Sequence, residues 1–548
     1  MATATFAGLV AAAFAAACGA PPGPLDLALV DHGHLRRFPR APEALAAEVA
    51  AVDGILDRAA GLGSRRYVLF TRDFEALLTY DDVAAVGAQA GPILAPGRRA
   101  EVDRNRGALG AIASHAADRG LELMVHTNQL DVPAEVRRRL GDSVGDQGRV
   151  CGDRPATWRL YRGKMESFFR DFPAVAGLVL TADEAPYPVW ACDAPEWAGA
   201  GATPAPEVVA ARVTRLVTET AAVAAAFDRR LEVRAWDRVE ALAGAEPGAL
   251  PAGVRLSVKN TAGDFQLFAG PSALLGAGNG LVVEFDAWRE YSGWNYFPCY
   301  MGDIWAPRVL AAAEAGASTL ALRINWSSTA NPIFERPWGN VVNVAVARGL
   351  AARPDADPDD LLKAWIAATY PPDAAGPAFR LYKASPRILE TLTSVGRVET
   401  TDHGRLFRSR TSASVFDRVA DSLDRAQAEG LLTGAADFEA RRRRVDGAVA
   451  QARDLVAALP PSVRPEWRRE MERGAAALGY LAAATTDQLA LLDAKRRLDA
   501  GGRAPGLAAL ALRMRTNDAA WRRADAESYE TLKGEEALSM LRACKCAK

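Results

Sequence analysis

GLVLTADEAPYPVW, residues 177–190, joins an apolar run directly to two acids and two prolines. The first four residues have the near-continuous apolar character of a strand that is covered on both faces. Asp183 and Glu184 follow shortly afterwards, and the two prolines exclude regular structure beyond them. The segment therefore predicts a buried β-strand that ends in a pair of carboxyl groups.

Seven similar runs occur in the first 330 residues, and stretches with helical periodicity separate most of them. The eight predicted strands begin at Leu25, Arg66, Leu121, Val175, Arg230, Val254, Leu281 and Ser318. Helices are predicted at 42–62, 99–119, 157–172, 206–229 and 303–316, with shorter ones after strands five and six. Eight alternating strands and helices predict an α/β fold, the (β/α)8 or TIM barrel.

The strand signal ends near Ala351, and helical periodicity continues to the end of the chain. We therefore predict a barrel over 21–350 and an all-α C-terminal domain over 351–548. Residues 1–20 are small and apolar, as in a signal peptide or lipoprotein signal, although an Ala-rich helical or disordered start is the alternative. Cys18 ends the stretch AAAC and is the candidate for a lipid anchor. We expect an exported protein, periplasmic or on the outer surface.

The composition is that of a globular protein, with 49% hydrophobic and 24% charged residues and a net charge of −1. A nucleic-acid-binding protein usually shows a basic excess, so the sequence predicts no nucleic-acid partner. There are six cysteines, and Cys151 and Cys192 flank the segment that contains Asp183 and Glu184. A disulfide between them and two separate thiols are both compatible with the sequence.

Polar and aromatic residues follow nearly every predicted strand, at the end of the barrel where functional groups meet. Cations, amides, carboxyl groups and indole rings together predict a mouth that binds a sugar, because rings stack on its apolar face and polar groups bond to its hydroxyls. Arg72 and Asp73 follow strand two, and Glu284 and Asp286 end strand seven. The predicted substrate-binding residues are His32, His126, Asn128, Arg234, Trp236, Lys259, Asn260, Trp294, Arg323, Asn325 and Trp326.

His32 and His34 follow strand one with the spacing at which many metal-dependent barrel hydrolases begin. Those sites usually also need histidines after strands five and six. The chain has only five histidines, and none follows those two strands. We therefore predict no metal site and no other cofactor, and interpret the pair as hydrogen-bonding support of the mouth.

Hydrolysis of a glycosidic bond requires two carboxyl groups on opposite sides of that bond. One must stay protonated near neutral pH, which burial and a nearby negative charge achieve. Glu184 suits that role, since it leaves a buried strand beside the acids of strands six and seven. The alternative is structural, with Asp183 and Glu184 capping the next segment.

Three segments resemble glycoside hydrolase family 67, the α-glucuronidases that remove glucuronic acid from xylan-derived oligosaccharides. VKNTAGDFQ (258–266) resembles that family's VKNGPxDFQ, and VVEFDAWREYSGWN (282–295) resembles its MEFQxxxEYTGQ. WGNVVNVAVARGLAARPDADPDDLLKAW (338–365) resembles the stretch that leads out of its barrel. The chain looks like a distant relative, for which we expect no counterpart of the family's separate N-terminal domain.

The resemblance implies an inverting mechanism with Glu184 as general acid and with Asp264 and Glu290 holding and activating the water. It also implies that Lys259 and Arg234 bind the uronate carboxylate, and that the helical domain supports a homodimer, as in some relatives. Two departures are Leu180, where the family has Lys, and a DEAP context for the acid where the family has SEG.

The sequence therefore predicts an exo-acting inverting α-glycosidase of α-glucuronidase type, which releases a terminal uronic acid or related sugar from plant or algal oligosaccharides. Two alternatives remain open. A retaining β-N-acetylhexosaminidase-like enzyme would use Asp183 to orient the substrate's acetamide and Glu184 as the acid. A barrel that binds glycans without turnover would need neither role.

Overall fold

The computed structural model describes residues 24–81, 83, 93–128, 130, 132–140, 150–181, 206–235, 250–276, 280–326, 331–407 and 412–544. Eight parallel strands pair in chain order and close on themselves, because the first strand pairs with both the second and the eighth. The strands are β1 (Asp26–Asp31), β2 (Arg66–Thr71), β3 (Glu122–Asn128), β4 (Val175–Thr181), β5 (Arg230–Ala235), β6 (Val254–Lys259), β7 (Val282–Asp286) and β8 (Thr319–Arg323). The predicted (β/α)8 barrel is confirmed.

Helices surround the barrel close to the predicted positions. They are α1 (Pro42–Gly61), α2 (Pro96–Asp118), α3 (Ala134–Leu140), α4 (Pro155–Asp171), α5 (Pro206–Ala226) and α6 (Gly302–Glu314). A proline in the first turn begins α1, α2 and α4, where its missing N–H costs no hydrogen bond. This preference moves the start of α2 to Pro96, ahead of the predicted residue 99. After β6 the described connection holds a short 3-10 helix, Ala273–Gly276, as expected.

Side chains fill the barrel interior in layers. At the base, the buried Arg66 guanidinium donates to Glu232 and Thr319, each at 3.1 Å. Above it lies a buried apolar layer that consists of Ala28, Val30, Val68, Met124, Val179, Val282 and Ala321. The barrel interior is therefore a packed core, and the polar groups at its mouth pack on an apolar layer.

The chain after the barrel is mainly helical, as predicted. Its helices are α7 (Val341–Ala352), α8 (Pro358–Thr369), α9 (Ala375–Thr393), α10 (Ser412–Ala428), α11 (Ala435–Ala457), α12 (Pro465–Asp499), α13 (Leu507–Ala524), α14 (Ala526–Thr531) and α15 (Glu535–Cys544). The expectation that no strand follows Ala351 is wrong in one place. A short antiparallel hairpin, β9 (Ser394–Val395) and β10 (Val398–Glu399), turns the chain back toward the barrel mouth.

Cys151 and Cys544 each take part in a disulfide, and Cys299 is a buried free thiol. Cys151 is therefore not a free thiol, whereas Cys192, its partner in one of the two alternatives, lies outside the described residues. Residues 1–20 and Cys18 also lie outside them, and the signal and lipid anchor stay predictions. Within the part of the chain that the structure describes, no helix is both long and apolar enough to cross a bilayer.

The long helix α12 packs directly on the loop that follows β7. A Cβ atom at Gly474 would overlap the carbonyl oxygen of Tyr296, a backbone atom that cannot rotate away. We expect Gly474→Ala to lower the free energy of unfolding by about 1–3 kcal/mol, because the helix must move off the loop. Urea unfolding measures this change.

Gly447 in α11 provides the matched control, since a Cβ atom there meets nothing within 4 Å. Gly447→Ala should stabilise the protein by about 0.5–1 kcal/mol through its higher helix propensity. Equal effects of the two substitutions would show that α12 does not depend on this close approach.

Candidate active site

Six charged side chains meet at the carboxyl ends of β5 to β8, and we call them the inner cluster. Its members are Arg234, Lys259, Asp264, Glu284, Glu290 and Arg323. Five of the side chains are at most 4% exposed, and Asp264 is 17% exposed. The structure thus brings together five residues that the sequence predicts for the site, and it adds Glu284.

Glu284 lies between two guanidinium groups. Arg234 donates to it twice, from Nε at 2.6 Å and from Nη2 at 3.1 Å, and Arg323 donates from Nη2 at 3.0 Å. Burial alone would raise the pKa of Glu284, but the two arginines outweigh it and lower the pKa to about 2. Arg234, predicted to bind a substrate carboxylate, is therefore already paired with a carboxylate of the protein.

Asp264 accepts two short hydrogen bonds. Lys259 Nζ donates to Oδ1 and the Tyr291 hydroxyl donates to Oδ2, each at 2.5 Å. Burial would raise the pKa of Asp264, but the charges of Lys259 and Arg323 hold it far below its usual range. Asp264 therefore stays ionised throughout the physiological pH range.

Glu290 is buried and has the opposite tendency. Arg323 donates to its carboxylate, and Asp286 accepts the backbone N–H of Glu290 at 2.6 Å and that of Arg289 at 3.0 Å. Arg289 has a φ of 68°, so these bonds hold a left-handed turn that aims Glu290 into the mouth. Burial raises the pKa of Glu290 to about 7, although Arg323 opposes the rise.

The inner cluster therefore separates its carboxyl groups by pKa. Asp264 and Glu284 remain ionised, whereas Glu290 titrates near neutral pH. Neighbouring carboxyl groups whose environments move their pKa values apart are typical of acid–base sites. The three cations outnumber the ionised carboxylates only while Glu290 is protonated, and the charges balance once Glu290 is ionised.

His403 follows the barrel in the sequence and lies beside the inner cluster. The sequence did not predict this position. His403 Nε2 lies 3.8 Å from Glu290, its Nδ1 bonds to Asp402 at 2.9 Å, and its ring stacks on Trp326. Burial would lower the pKa of His403, but Asp402 and Glu290 outweigh it and raise the pKa. His403 falls within 351–548, the range predicted as an all-α domain, so the sequence gives no sign that it lies at the barrel mouth.

Glu399, at the end of β10, was also missed. It accepts a hydrogen bond from Gln266 at 3.4 Å and one from Thr401 at 3.0 Å. Burial raises its pKa to about 8, so the carboxyl group is largely protonated at neutral pH. Gln266 belongs to the same DFQ segment as Asp264, and the hairpin β9–β10 therefore closes this side of the mouth.

The β1–β4 side of the mouth carries neutral histidines. His126 contacts His32 at 3.2 Å and Thr181, the last residue of β4, at 2.6 Å. Burial and nearby arginine charges hold the pKa of both histidines well below 6.5. Asn325 accepts the backbone N–H of His32 at 2.6 Å and donates to Asp31 at 2.7 Å. These bonds join β1 to the end of β8.

Two other predicted binding residues hold loops in place. Asn260 donates to the backbone of Glu284 at 2.9 Å and accepts from Arg308 at 2.8 Å. Trp294 is buried and its indole N–H donates to the carbonyl of His403 at 2.6 Å. Trp326 is only partly buried and offers the more accessible ring.

Three predicted residues cannot be placed by their side chains. Glu184 and Trp236 lie outside the described residues, and of Asn128 the structure describes only its position at the end of β3. Their roles stay predictions. Within the described ranges, no group of three or more His, Cys, Asp or Glu residues is arranged to hold a metal ion.

No protein-family model matches the chain, and no curated protein matches its sequence. Among solved structures, it is similar to a GH138 enzyme targeting pectin rhamnogalacturonan II, with a TM-score of 0.60 and 13% identity over 93% of this chain and 78% of that chain. A GH20 β-N-acetylhexosaminidase from Streptomyces coelicolor A3(2) matches with a TM-score of 0.34 and 16% identity, over 65% of this chain and 64% of that one. The first likeness shows a shared fold and does not single out the α-glucuronidases of family 67.

The charge of His403 helps to keep the pKa of Glu290 from rising further. We expect His403→Gln to raise the pKa of Glu290 above about 7, because a favourable charge is removed from beside the carboxylate. Carbon-13 NMR titration of carboxyl-labelled glutamate, assigned with Glu290→Gln, measures the shift.

His115→Gln is the control, since His115 lies on the outer helix α2 and pairs with Asp53. It should leave the titration of Glu290 unchanged. A Glu290 titration that is identical in wild type and His403→Gln would remove His403 from the electrostatics of the inner cluster.

Proposed function

We propose that the protein is a glycoside hydrolase, an exo-acting inverting α-glycosidase that releases a terminal uronic acid from plant or algal oligosaccharides. The observation that carries this proposal is the pair of carboxyl groups in the inner cluster. Asp264 is ionised at all physiological pH values, and Glu290 has a pKa of about 7. The glycoside hydrolase-like fold supports the same reaction class.

In this mechanism Glu290 is the general base. A base with a pKa near the working pH accepts a proton most effectively, since it is both ionised and sufficiently basic. Asp264 keeps its charge and orients the attacking water. The bond from Arg323 holds Glu290 in one position, and the bonds from Lys259 and Tyr291 do the same for Asp264.

Glu184 remains our candidate for the general acid. It follows β4 by three positions, and Thr181 at the end of that strand already lies in the mouth against His126. An inverting enzyme needs the acid roughly 6.5–9.5 Å from the base, so that a water fits between the base and the sugar. An acid that enters from β4 would face Glu290 of the β7 loop across the mouth.

Two cations of the inner cluster support an acidic sugar. A uronate carboxylate would meet Lys259 and Arg323 as charge-assisted hydrogen-bond donors. The structural neighbour that targets pectin rhamnogalacturonan II agrees with a plant polysaccharide as the source of such a substrate.

Hydrolysis of synthetic and natural glycosides tests the proposed function. We expect turnover of α-glucuronides or α-galacturonides, little turnover of the matching neutral α-glycosides, and the β-anomer as the first product in proton NMR. Release of the α-anomer would contradict inversion. Turnover of β-N-acetylhexosaminides alone would favour the hexosaminidase alternative, and glycan binding without turnover would favour a non-catalytic barrel.

The acid and base roles separate when the leaving group is varied. Glu184→Gln should greatly reduce hydrolysis of natural uronides but spare a substrate whose phenol leaves without a proton. Glu290→Gln should reduce both by about 10²–10⁴-fold, because the water needs its base in each case. Steady-state rates on both substrates measure the difference.

The pH profile is the control for these roles. With Glu290 as base, kcat/KM should rise with pH through about 7, the pKa of the free carboxyl group. A rate that falls over this range would make Glu290 the acid instead. Equal losses on both substrates for Glu184→Gln would remove Glu184 from the acid role.

A further inference from the structure

A second polar cavity of about 410 Å³ lies on the rim of the barrel mouth, between the loops that follow β1 and β2. Four arginines line it together with an apolar surface from Phe38 and Pro133. The arginines are Arg37, Arg40, Arg72 and Arg98, and the acids of the lining are Asp73, Glu75 and Glu101. None of these residues takes part in the mechanism proposed above.

The cavity has an excess of positive charge. Arg98 pairs with Glu101 at 2.9 Å, and Glu75 pairs with Lys164. Arg37, Arg40 and Arg72 are exposed and form no ion pair with any residue that the structure describes. These three outnumber the one remaining acid of the lining, so the cavity favours an anionic ligand.

The loop after β1 runs from the barrel mouth to the cavity. Arg36 in this loop places its guanidinium 5.3 Å from the ring of Phe70 and 5.4 Å from that of Trp326. Phe70 in turn stacks on His32, inside the mouth. Arg37 follows Arg36 directly and lines the cavity, so one short segment joins the two sites.

The cavity has the chemistry of an acidic sugar site. Guanidinium groups bind carboxylates through paired hydrogen bonds, and three of them can serve more than one carboxylate. The volume lies in the usual range of small-ligand sites, roughly 300–1,000 Å³. Phe38 and Pro133 add apolar surface that a free inorganic anion would not need.

We propose that this cavity is a second subsite, which binds the carboxylate of a further uronic acid along an acidic oligosaccharide. The substrate is then a chain with at least two uronic acids, one in the inner cluster and one on the rim. The identity of this ligand rests on the proposed function, whereas the binding itself can be tested without turnover.

The test compares two triple variants in the full chain that carries Glu290→Gln, so that hydrolysis does not interfere. One is Arg37→Ala/Arg40→Ala/Arg72→Ala, which empties the cavity of its exposed charge. The other is Arg443→Ala/Arg444→Ala/Arg453→Ala, which removes three exposed arginines from α11. Both variants therefore change the net charge of the protein by the same amount. Isothermal calorimetry measures the Kd of tetragalacturonate, glucuronic acid and inorganic sulfate.

We expect the cavity variant to raise the Kd of tetragalacturonate by about tenfold or more and to leave the Kd of glucuronic acid unchanged. The α11 variant should change neither Kd. Equal weakening by both variants would reduce the effect to net charge and overturn the subsite. Sulfate that binds the cavity as tightly as the tetrasaccharide would make it a general anion site and overturn it too.

The two proposals fail separately. If no α-uronide is hydrolysed but the cavity variant still binds tetragalacturonate more weakly, the proposed hydrolase function is wrong and the proposed binding site is supported. If uronides are hydrolysed and the cavity variant binds tetragalacturonate normally, the subsite fails and the function stands.

Discussion

The mouth of the barrel depends on one buried carboxylate, Glu284, which holds two guanidinium groups. Arg234 and Arg323 come from strands on either side of Glu284. Each guanidinium charge is buried, and a buried charge that has no partner is costly. Glu284 is the partner of both arginines, and the remaining Nη1 group of Arg323 donates to Glu290. The position of the proposed base, Glu290, thus depends on the charge of Glu284, which takes no part in the reaction.

Burial then decides what each remaining carboxyl group does. Desolvation raises the pKa of both Asp264 and Glu290. Asp264 has its own ammonium partner, Lys259, and the Tyr291 hydroxyl, whereas Glu290 shares Arg323 with Glu284. The two groups therefore ionise at different pH although they lie in one cluster. The apolar layer below the mouth strengthens all of these interactions, because it keeps water from screening the charges from below.

The sequence predicted the parts of this arrangement that follow from local patterns. The apolar runs predicted the strands, and a barrel brings strand ends together, so Lys259, Asp264, Glu290 and Arg323 could be predicted as neighbours. Which charge pairs with which could not, since Arg234 has the same chemistry whether it binds a substrate or Glu284. His403 and Glu399 were missed for a different reason. They reach the mouth through an aperiodic segment after the barrel, and only the tertiary fold shows that it turns back.

Arginines serve two different purposes at the two ends of this mouth. In the inner cluster they are desolvated and paired, so they set positions and pKa values, and a substrate carboxylate must fit into bonds that already exist. On the rim Arg37, Arg40 and Arg72 are exposed, and their charges act on a ligand through solvent. Exposed charges steer an anion toward the protein, and salt screens them much more than it screens buried charges. An acidic chain would therefore be attracted at the rim first and be held in register only where the inner cluster excludes water.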